Sequence, residues 1–233
     1  MGITAMMLAR PVSNLIQSVS GDVGGSSTIY TITLPKPSTK GSTIIVGSWF
    51  KAPATFTSLI DSASQSYTPV GTALLVGTQY YLQLYYFRNS VAGVTTITQT
   101  ISDINAQSLC VAEESNLVTS GSILDATAVQ VSANQTIPST TFTSGAMATS
   151  TKPSLVLYGL YGSEDSSNQA VVAGAGWTII QNEAFTADGD NTVLLRRRVD
   201  AVGAYAVSGT CTAVANANGQ GTLVAAFVPQ AGM

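Results

Sequence analysis

The chain has 233 residues, which suits one large β-sandwich or two small domains. Only 9% of its residues are charged, the net charge is −3, and it has nine Lys and Arg residues and no His. The chain has too few basic residues for a broad phosphate-binding track. Nucleic acid is therefore not an expected partner. Without His, the chain lacks Ser-His-Asp and Cys-His nucleophiles and most catalytic zinc sites. Its weak charge suits a protein that works in contact with other subunits.

The first residues carry no recognisable targeting signal. No basic segment precedes the short apolar stretch within residues 1–11, so we do not expect a signal peptide. No apolar run is long enough to span a bilayer, so a membrane is not an expected partner. Residues 1–25 are predicted to form an N-terminal arm or an edge strand.

Short runs rich in Val, Ile, Thr, Tyr and Leu recur between Gly, Ser, Asn, Asp and Pro residues, which is typical of β-sandwiches. In the first clear run, Tyr30, Ile32 and Leu34 alternate with more polar neighbours and are expected to face the core. The clearest predicted strands are 28–34, 43–50, 80–88, 94–101, 107–113, 154–161, 193–199, 204–213 and 221–228. The fold class predicted is an all-β, jelly-roll-like antiparallel sandwich.

The two halves of the chain resemble each other at a shift of about 111 residues, the kind of internal repeat that reports architecture. The matched segments are 42–50 with 153–161, 81–88 with 192–199, 91–94 with 201–204 and 108–112 with 222–226. We therefore expect two related strand sets that close one sandwich over residues 26–229, followed by a tail at 230–233. Two small sandwiches divided near residues 119–138 are the alternative.

Three predicted strands, 43–50, 154–161 and 221–228, are apolar on both alternating faces. A strand with one solvated face does not show this pattern. Long loops such as 53–72 or 162–176 would cover the outer face in one interpretation. In the other, the outer face is buried against another subunit.

Searches for catalytic and cofactor motifs find no G-x-S-x-G elbow, no phosphate-binding loop and no dinucleotide-binding turn, so no cofactor is expected. Carboxylates remain as catalytic candidates, chiefly Glu113 and Glu114 at a strand end, Glu164 with Asp165, Glu183, and Asp188 with Asp190, but solvated loop and strand-end residues explain them better. The run from Asp188 to Asn191 offers oxygen ligands for calcium, yet an Asp-Gly turn is the simpler explanation. Cys110 and Cys211 are interpreted as packing residues.

Three consecutive arginines lie in the predicted strand 193–199. Alternation places Arg196 and Arg198 on one face and Arg197 on the other. Local ion pairs with Asp200, Asp188 or Asp190 are one explanation. The other is that Arg196 and Arg198 bind carboxylates of a neighbouring protein, a role in which Arg is enriched at interfaces.

The strand 80–88 combines amides and aromatic rings on one face, where Tyr81, Tyr85 and Phe87 alternate with other side chains. Sugar-binding modules and protein interfaces both use such surfaces, because rings bury area at low entropic cost. A plain sheet exterior or cross-strand aromatic pairing inside the protein is the simpler explanation. These three residues, with Arg196 and Arg198, are the candidate partner contacts.

The pattern as a whole resembles the jelly-roll-like β-sandwich proteins that form surface or decoration components of tailed bacteriophage virions. The resemblance lies in residues 28–34, 41–50, 57–62, 67–68, 85–89, 91–98 and 124–126. It covers about residues 26–229 and implies an architecture and no site residues.

The resemblance implies a noncatalytic virion protein on the particle surface, with a capsid decoration or cement role. The expected partners are the major capsid protein or other virion proteins, and further copies of the chain. The alternative is a carbohydrate- or receptor-binding module on a phage appendage or a bacterial surface, with a glycan as ligand. An enzyme is not expected.

Overall fold

The computed structural model describes residues 13–77, 79–131, 140–149, 154–164, 169–184, 190–212 and 219–230. All regular elements in these ranges are β-strands, and every paired neighbour runs antiparallel, which confirms the predicted all-β sandwich class. The strands are β1 (Leu15–Thr33), β2 (Thr43–Lys51), β3 (Phe56–Asp61), β4 (Thr68–Val76), β5 (Tyr80–Phe87), β6 (Thr96–Glu114), β7 (Leu124–Val131), β8 (Thr141–Thr143), β9 (Met147–Ala148), β10 (Leu155–Glu164), β11 (Val171–Ala173), β12 (Thr178–Ala184), β13 (Asn191–Val199), β14 (Ala204–Tyr205), β15 (Ser208–Cys211) and β16 (Gly219–Phe227).

The two halves of the chain build sheets with the same strand order. The first half forms β1-β6-β2-β5-β4, and the second half forms β7-β16-β10-β13-β12. The central strands β2 and β10 match each other in the internal repeat. Each is flanked by strands from two of the other matched pairs, 81–88 with 192–199 and 108–112 with 222–226. The repeat in the sequence therefore corresponds to equivalent positions in two sheets.

Each half also contains a smaller sheet. β1 and β6 are long enough to leave the large sheet, and their far halves pair with each other and with β3. In the second half, separate short strands form a three-stranded sheet in the order β11-β15-β8, and β14 and β9 form a two-stranded sheet beside it. Each half is thus a sandwich of a five-stranded and a three-stranded sheet.

The two sandwiches pack through their five-stranded sheets, so the protein has four layers. Ile45 and Trp49 of β2 lie in the central core with Tyr158 and Leu160 of β10. The alternate β2 residues, such as Ile44, belong to an outer core beneath β3. A second outer core lies beneath the small sheet of the other half. Both faces of the central strands are therefore covered, which explains why these strands are apolar on both alternating faces.

The central strands approach closely at two glycines. A Cβ atom on Gly47 would collide with Leu160, and one on Gly162 would collide with Trp49. Each strand therefore provides a gap for a large side chain of the other strand. This reciprocal packing joins the two sandwiches at their centres.

The structure shows where the beginning of the described chain and the two candidate covering segments lie. The first strand runs from Leu15, so residues 15–25 belong to the edge of the large sheet, whereas residues 1–12 lie outside the described ranges. The outer faces are covered within the chain, since residues 53–72 contain β3 and residues 162–176 contain β11. The described part of the chain has no helix long and apolar enough to cross a membrane.

Candidate functional site

The mixed face of β5 points toward its own outer core. Tyr85 is buried and stacks on Phe56, with ring centroids 4.9 Å apart. Its neighbour Gln83 is also buried, and its amide donates to the carbonyls of Val70 at 2.7 Å and Leu84 at 3.0 Å. Burial raises the pKa of Tyr85 above its usual value. The centre of this face is therefore occupied by the protein's own side chains.

The other two predicted contacts on β5 are half-buried. Tyr81 stacks on Phe50 with a centroid distance of 5.2 Å, and Phe87 lies against Tyr67 at 5.7 Å. Each ring has a partner within the chain and leaves part of its surface to solvent. Only the two ends of the β5 face are accessible to a ligand or a neighbouring protein.

Arg196 makes a bidentate contact inside the protein. Its Nε donates to Oε2 of Glu114 at 2.9 Å, and its Nη2 donates to Oε1 at 2.8 Å. The hydroxyl of Tyr158 donates to the same Oε2 at 2.6 Å. The Glu114 side chain is fully buried and that of Arg196 is 19% exposed. Because Glu114 ends β6 and Arg196 lies on β13, this cluster connects the two sandwiches.

The cluster shifts the ionisation of its members in a consistent direction. Burial lowers the pKa of Arg196, but the hydrogen bonds and charge of Glu114 outweigh burial and raise it overall. The pKa of Tyr158 is raised well above its usual value by burial and by the adjacent Glu114 carboxylate. The phenol therefore stays protonated as the donor, and the guanidinium stays charged.

The remaining arginines of β13 have lesser contacts. Arg198 pairs with Asp200 at 3.3 Å at the surface, as the local explanation predicted. Arg197 lies on the opposite face, where its guanidinium sits 5.1 Å from the ring centroid of Tyr205. Arg198 is thus the member of the run that a neighbouring protein could reach most readily.

The second carboxylate at the end of β6 is also engaged. Glu113 is buried and accepts hydrogen bonds from the Gln17 amide at 2.5 Å and from the Thr39 N–H at 2.6 Å. Gln17 in turn donates to the carbonyl of Lys36 at 3.0 Å. These contacts fix the segment after β1 on the large sheet. The expectation that Glu113 and Glu114 are solvated strand-end residues is therefore wrong, since both side chains are buried.

An open cleft of about 380 Å³ lies where the two halves are joined. Its lining includes Tyr86 and Arg88 from the end of β5, and Ser122 from the connection to β7. Arg88 donates to the carbonyl of Gly121, and no carboxylate of the described residues forms a salt bridge with it. The cleft combines a ring, a hydroxyl and a cation, and sequence patterns did not reveal it because its walls come from both halves.

The proposed calcium turn is only partly described. Asp188 and Gly189 lie outside the described residues, whereas Asn191 is buried and uses its amide on the backbone of Gln169. Among the described residues, no group of three or more His, Cys, Asp or Glu side chains is placed to hold a metal ion. Cys110 and Cys211 are both buried free thiols.

Comparisons with known proteins give no relative. No protein-family model matches the sequence, and neither a curated protein nor a solved structure matches the chain.

Proposed function

We propose that the protein is a structural component of a phage virion, a noncatalytic decoration or cement protein that binds the major capsid protein. The observation that carries this proposal is the doubled sandwich, in which two equivalent sheets pack face to face and each has its own covering sheet. The low charge of the chain leaves little repulsion between neighbours on a crowded surface.

The strand order supports treating each half as a jelly roll. In the first half, β1 and β6 contribute to both sheets, and with β2 to β5 they supply eight strand segments in two sheets. Eight strands in two sheets are characteristic of jelly rolls, an architecture of viral capsid proteins. Since the fold itself does not specify a function, the virion role depends on the experiment that follows.

Two of the candidate carboxylates have structural roles, which supports a role without catalysis. Glu113 and Glu114, the adjacent carboxylates considered for glycosidase chemistry, are both buried and hydrogen-bonded within the protein. Glycosidases need two carboxyl groups that flank a sugar bond in an accessible site. Instead, Glu113 binds the first strand and the loop that follows it, and Glu114 binds the second sandwich.

The proposal is tested with purified virions of a phage whose genome carries this sequence. Quantitative mass spectrometry should find the chain in many copies, and chemical cross-linking should join it to the major capsid protein. Purified protein should also bind shells that lack it, with an affinity that changes little with salt, because few charges are available. Few copies on the tail, or none in the particle, would contradict the proposal.

The cleft favours glycan or receptor binding as a second candidate function. Its volume lies within the range of ligand pockets, and rings beside hydroxyls and a cation suit a sugar that carries a carboxylate. Glycan-array binding that is lost in Tyr86→Ala and Arg88→Ala, and kept in Tyr81→Ala, would support this role. Such binding by a chain located on the tail would exclude decoration.

A further inference from the structure

The second half of β1 forms an open edge of the three-stranded sheet β3-β6-β1. It is paired with β6 on one side, where Leu34 N–H donates to the Thr95 carbonyl at 2.8 Å. Along an antiparallel strand, successive residues direct their backbone groups to opposite sides. The alternate residues Ile29, Thr31 and Thr33 therefore direct N–H and C=O away from β6.

Two of these three residues have outward N–H and C=O groups with no hydrogen-bond partner in the described part of the chain. The Ser27 hydroxyl already accepts from Ile29 N–H at 3.0 Å and donates to the Ile29 carbonyl at 2.7 Å. No hydrogen bond within the described part of the chain reaches the outward N–H and C=O of Thr31 and Thr33. Pro35 follows and has no N–H. The edge thus presents four backbone groups, bounded by a capped residue and a proline.

From Ile29 to Thr33, this edge lacks the protection that edge strands usually have. Charged side chains, prolines or bulges normally prevent an exposed edge from pairing with another chain. No charged residue occurs between Asp22 and Lys36, and the irregularities in β1 end before Ile29. Thr31 and Thr33 are exposed and β-branched, and so favour a strand.

We propose that two copies of the chain pair antiparallel through this edge, about a two-fold axis at Ile32. Thr31 of one copy then lies opposite Thr33 of the other, and the four outward groups of each copy are satisfied by four hydrogen bonds. Ile29 then lies opposite Pro35. The residue whose backbone is already bonded to Ser27 therefore faces the residue that has no N–H. The edge is therefore complementary to itself, and the pairing closes as a dimer.

The pairing joins two three-stranded sheets into one of six strands. Its outer surface continues the rows of hydroxyls seen within the chain, where Thr31 and Thr98 are 2.9 Å apart through their Oγ1 atoms. The contact is small, which makes it weak between free molecules and stronger where many copies are held together. This self-association does not depend on what the protein binds.

Cysteine cross-linking tests both the edge and its register. Hydrogen-bonded antiparallel neighbours have Cα atoms about 5.5 Å apart, within disulfide range, so residue 31 can be cross-linked to residue 33 of the other copy. The same residue in the two copies is offset by two positions along the strand, which places its Cα atoms about 9 Å apart, beyond disulfide reach. Under mild oxidation, a mixture of the Thr31→Cys and Thr33→Cys variants should form a cross-linked heterodimer.

Each cysteine variant alone is the matched control and should stay uncross-linked, since the native Cys110 and Cys211 are buried. Thr33→Pro removes an outward N–H and no bond to β6, so sedimentation should show the dimer weakened about tenfold or more with an unchanged fold. Thr98→Ser, on the same face away from the edge, should leave the dimer intact. Equal cross-linking of the single variants and the mixture, or a wild-type chain that stays monomeric at millimolar concentration, would overturn the proposed pairing.

Discussion

Replacing Arg196 with Met tests whether the arginine stabilises the fold or serves a neighbouring protein. The substitution keeps much of the apolar stem and removes the two charged hydrogen bonds to Glu114. Glu114 would remain fully buried, with the Tyr158 hydroxyl as a donor and no ion pair to another cation among the described residues. The variant therefore leaves a buried carboxylate without its counter-ion between the two sandwiches.

The expected loss of stability is about 3 kcal/mol, the lower part of the range for breaking a buried pair, because the guanidinium is partly exposed. For a chain of this size, that loss lowers the melting temperature by about 6–12 °C. The double variant Arg196→Met with Glu114→Gln should recover a large part of the loss, since no buried charge is then left unpaired.

Urea and thermal unfolding of the purified chain measure these changes. Arg198→Met is the matched control on the same face of the same strand, where the ion pair is solvent-exposed, and it should change stability by less than about 1 kcal/mol. Equal stability of the Arg196 and Arg198 variants would show that the Glu114 contact does not stabilise the fold, and Arg196 would return to the set of partner contacts.

Three further perturbations test separate parts of the structure. Gly162→Ala should destabilise the chain by about 1–3 kcal/mol in urea unfolding, because the new methyl group meets the buried Trp49 ring; unchanged stability would mean that the two sandwiches can separate slightly. Tyr85→Ala should cost about 3–5 kcal/mol, more than Tyr81→Ala, and equal losses would place Tyr85 at the surface. Burial and the nearby Asp22 raise the pKa of Glu183 above its usual value of 4.5. Its proton therefore adds stability that is full below that value and lost as the pH rises through the raised pKa. Glu183→Gln should thus melt above the wild type at pH 7 by a margin that shrinks toward pH 4, whereas parallel curves would exclude the effect.

The sequence predicted the parts of the fold that follow from alternation and repetition. In the first strand, Ile32 and Leu34 are buried and Thr31 and Thr33 are exposed, as the alternation predicted. The internal repeat matched segments that occupy equivalent positions in the two large sheets. Both signals are local or periodic, so they can be recognised in the sequence without knowing how the strands pack.

The edge strands, and the strands within the covering segments 53–72 and 162–176, were not evident from the sequence. β4 contains Pro69 and Gly71, and β12 mixes amides with apolar residues, so neither resembles a strand of the core. Burial of Tyr85 depends on β3 folding over β5, a contact between distant segments. Alternation alone therefore identified the face on which Tyr85 lies and could not show that the face is covered.

The partner of Arg196 was missed for a similar reason. Nearby acidic residues such as Asp200 were considered, and Arg198 does pair with Asp200. Arg196 instead meets Glu114, which lies 82 positions earlier in the chain. This contact exists only because the two large sheets stack face to face, so it depends on their relative placement.

A cryo-EM map of a phage particle that carries this chain is the most direct test of the proposed virion role. We expect four-layered density, with two sandwiches packed through their large sheets, repeated over the capsid lattice and in contact with the major capsid protein. Density for the chain at the tail alone, or a particle that lacks the chain, would contradict that role.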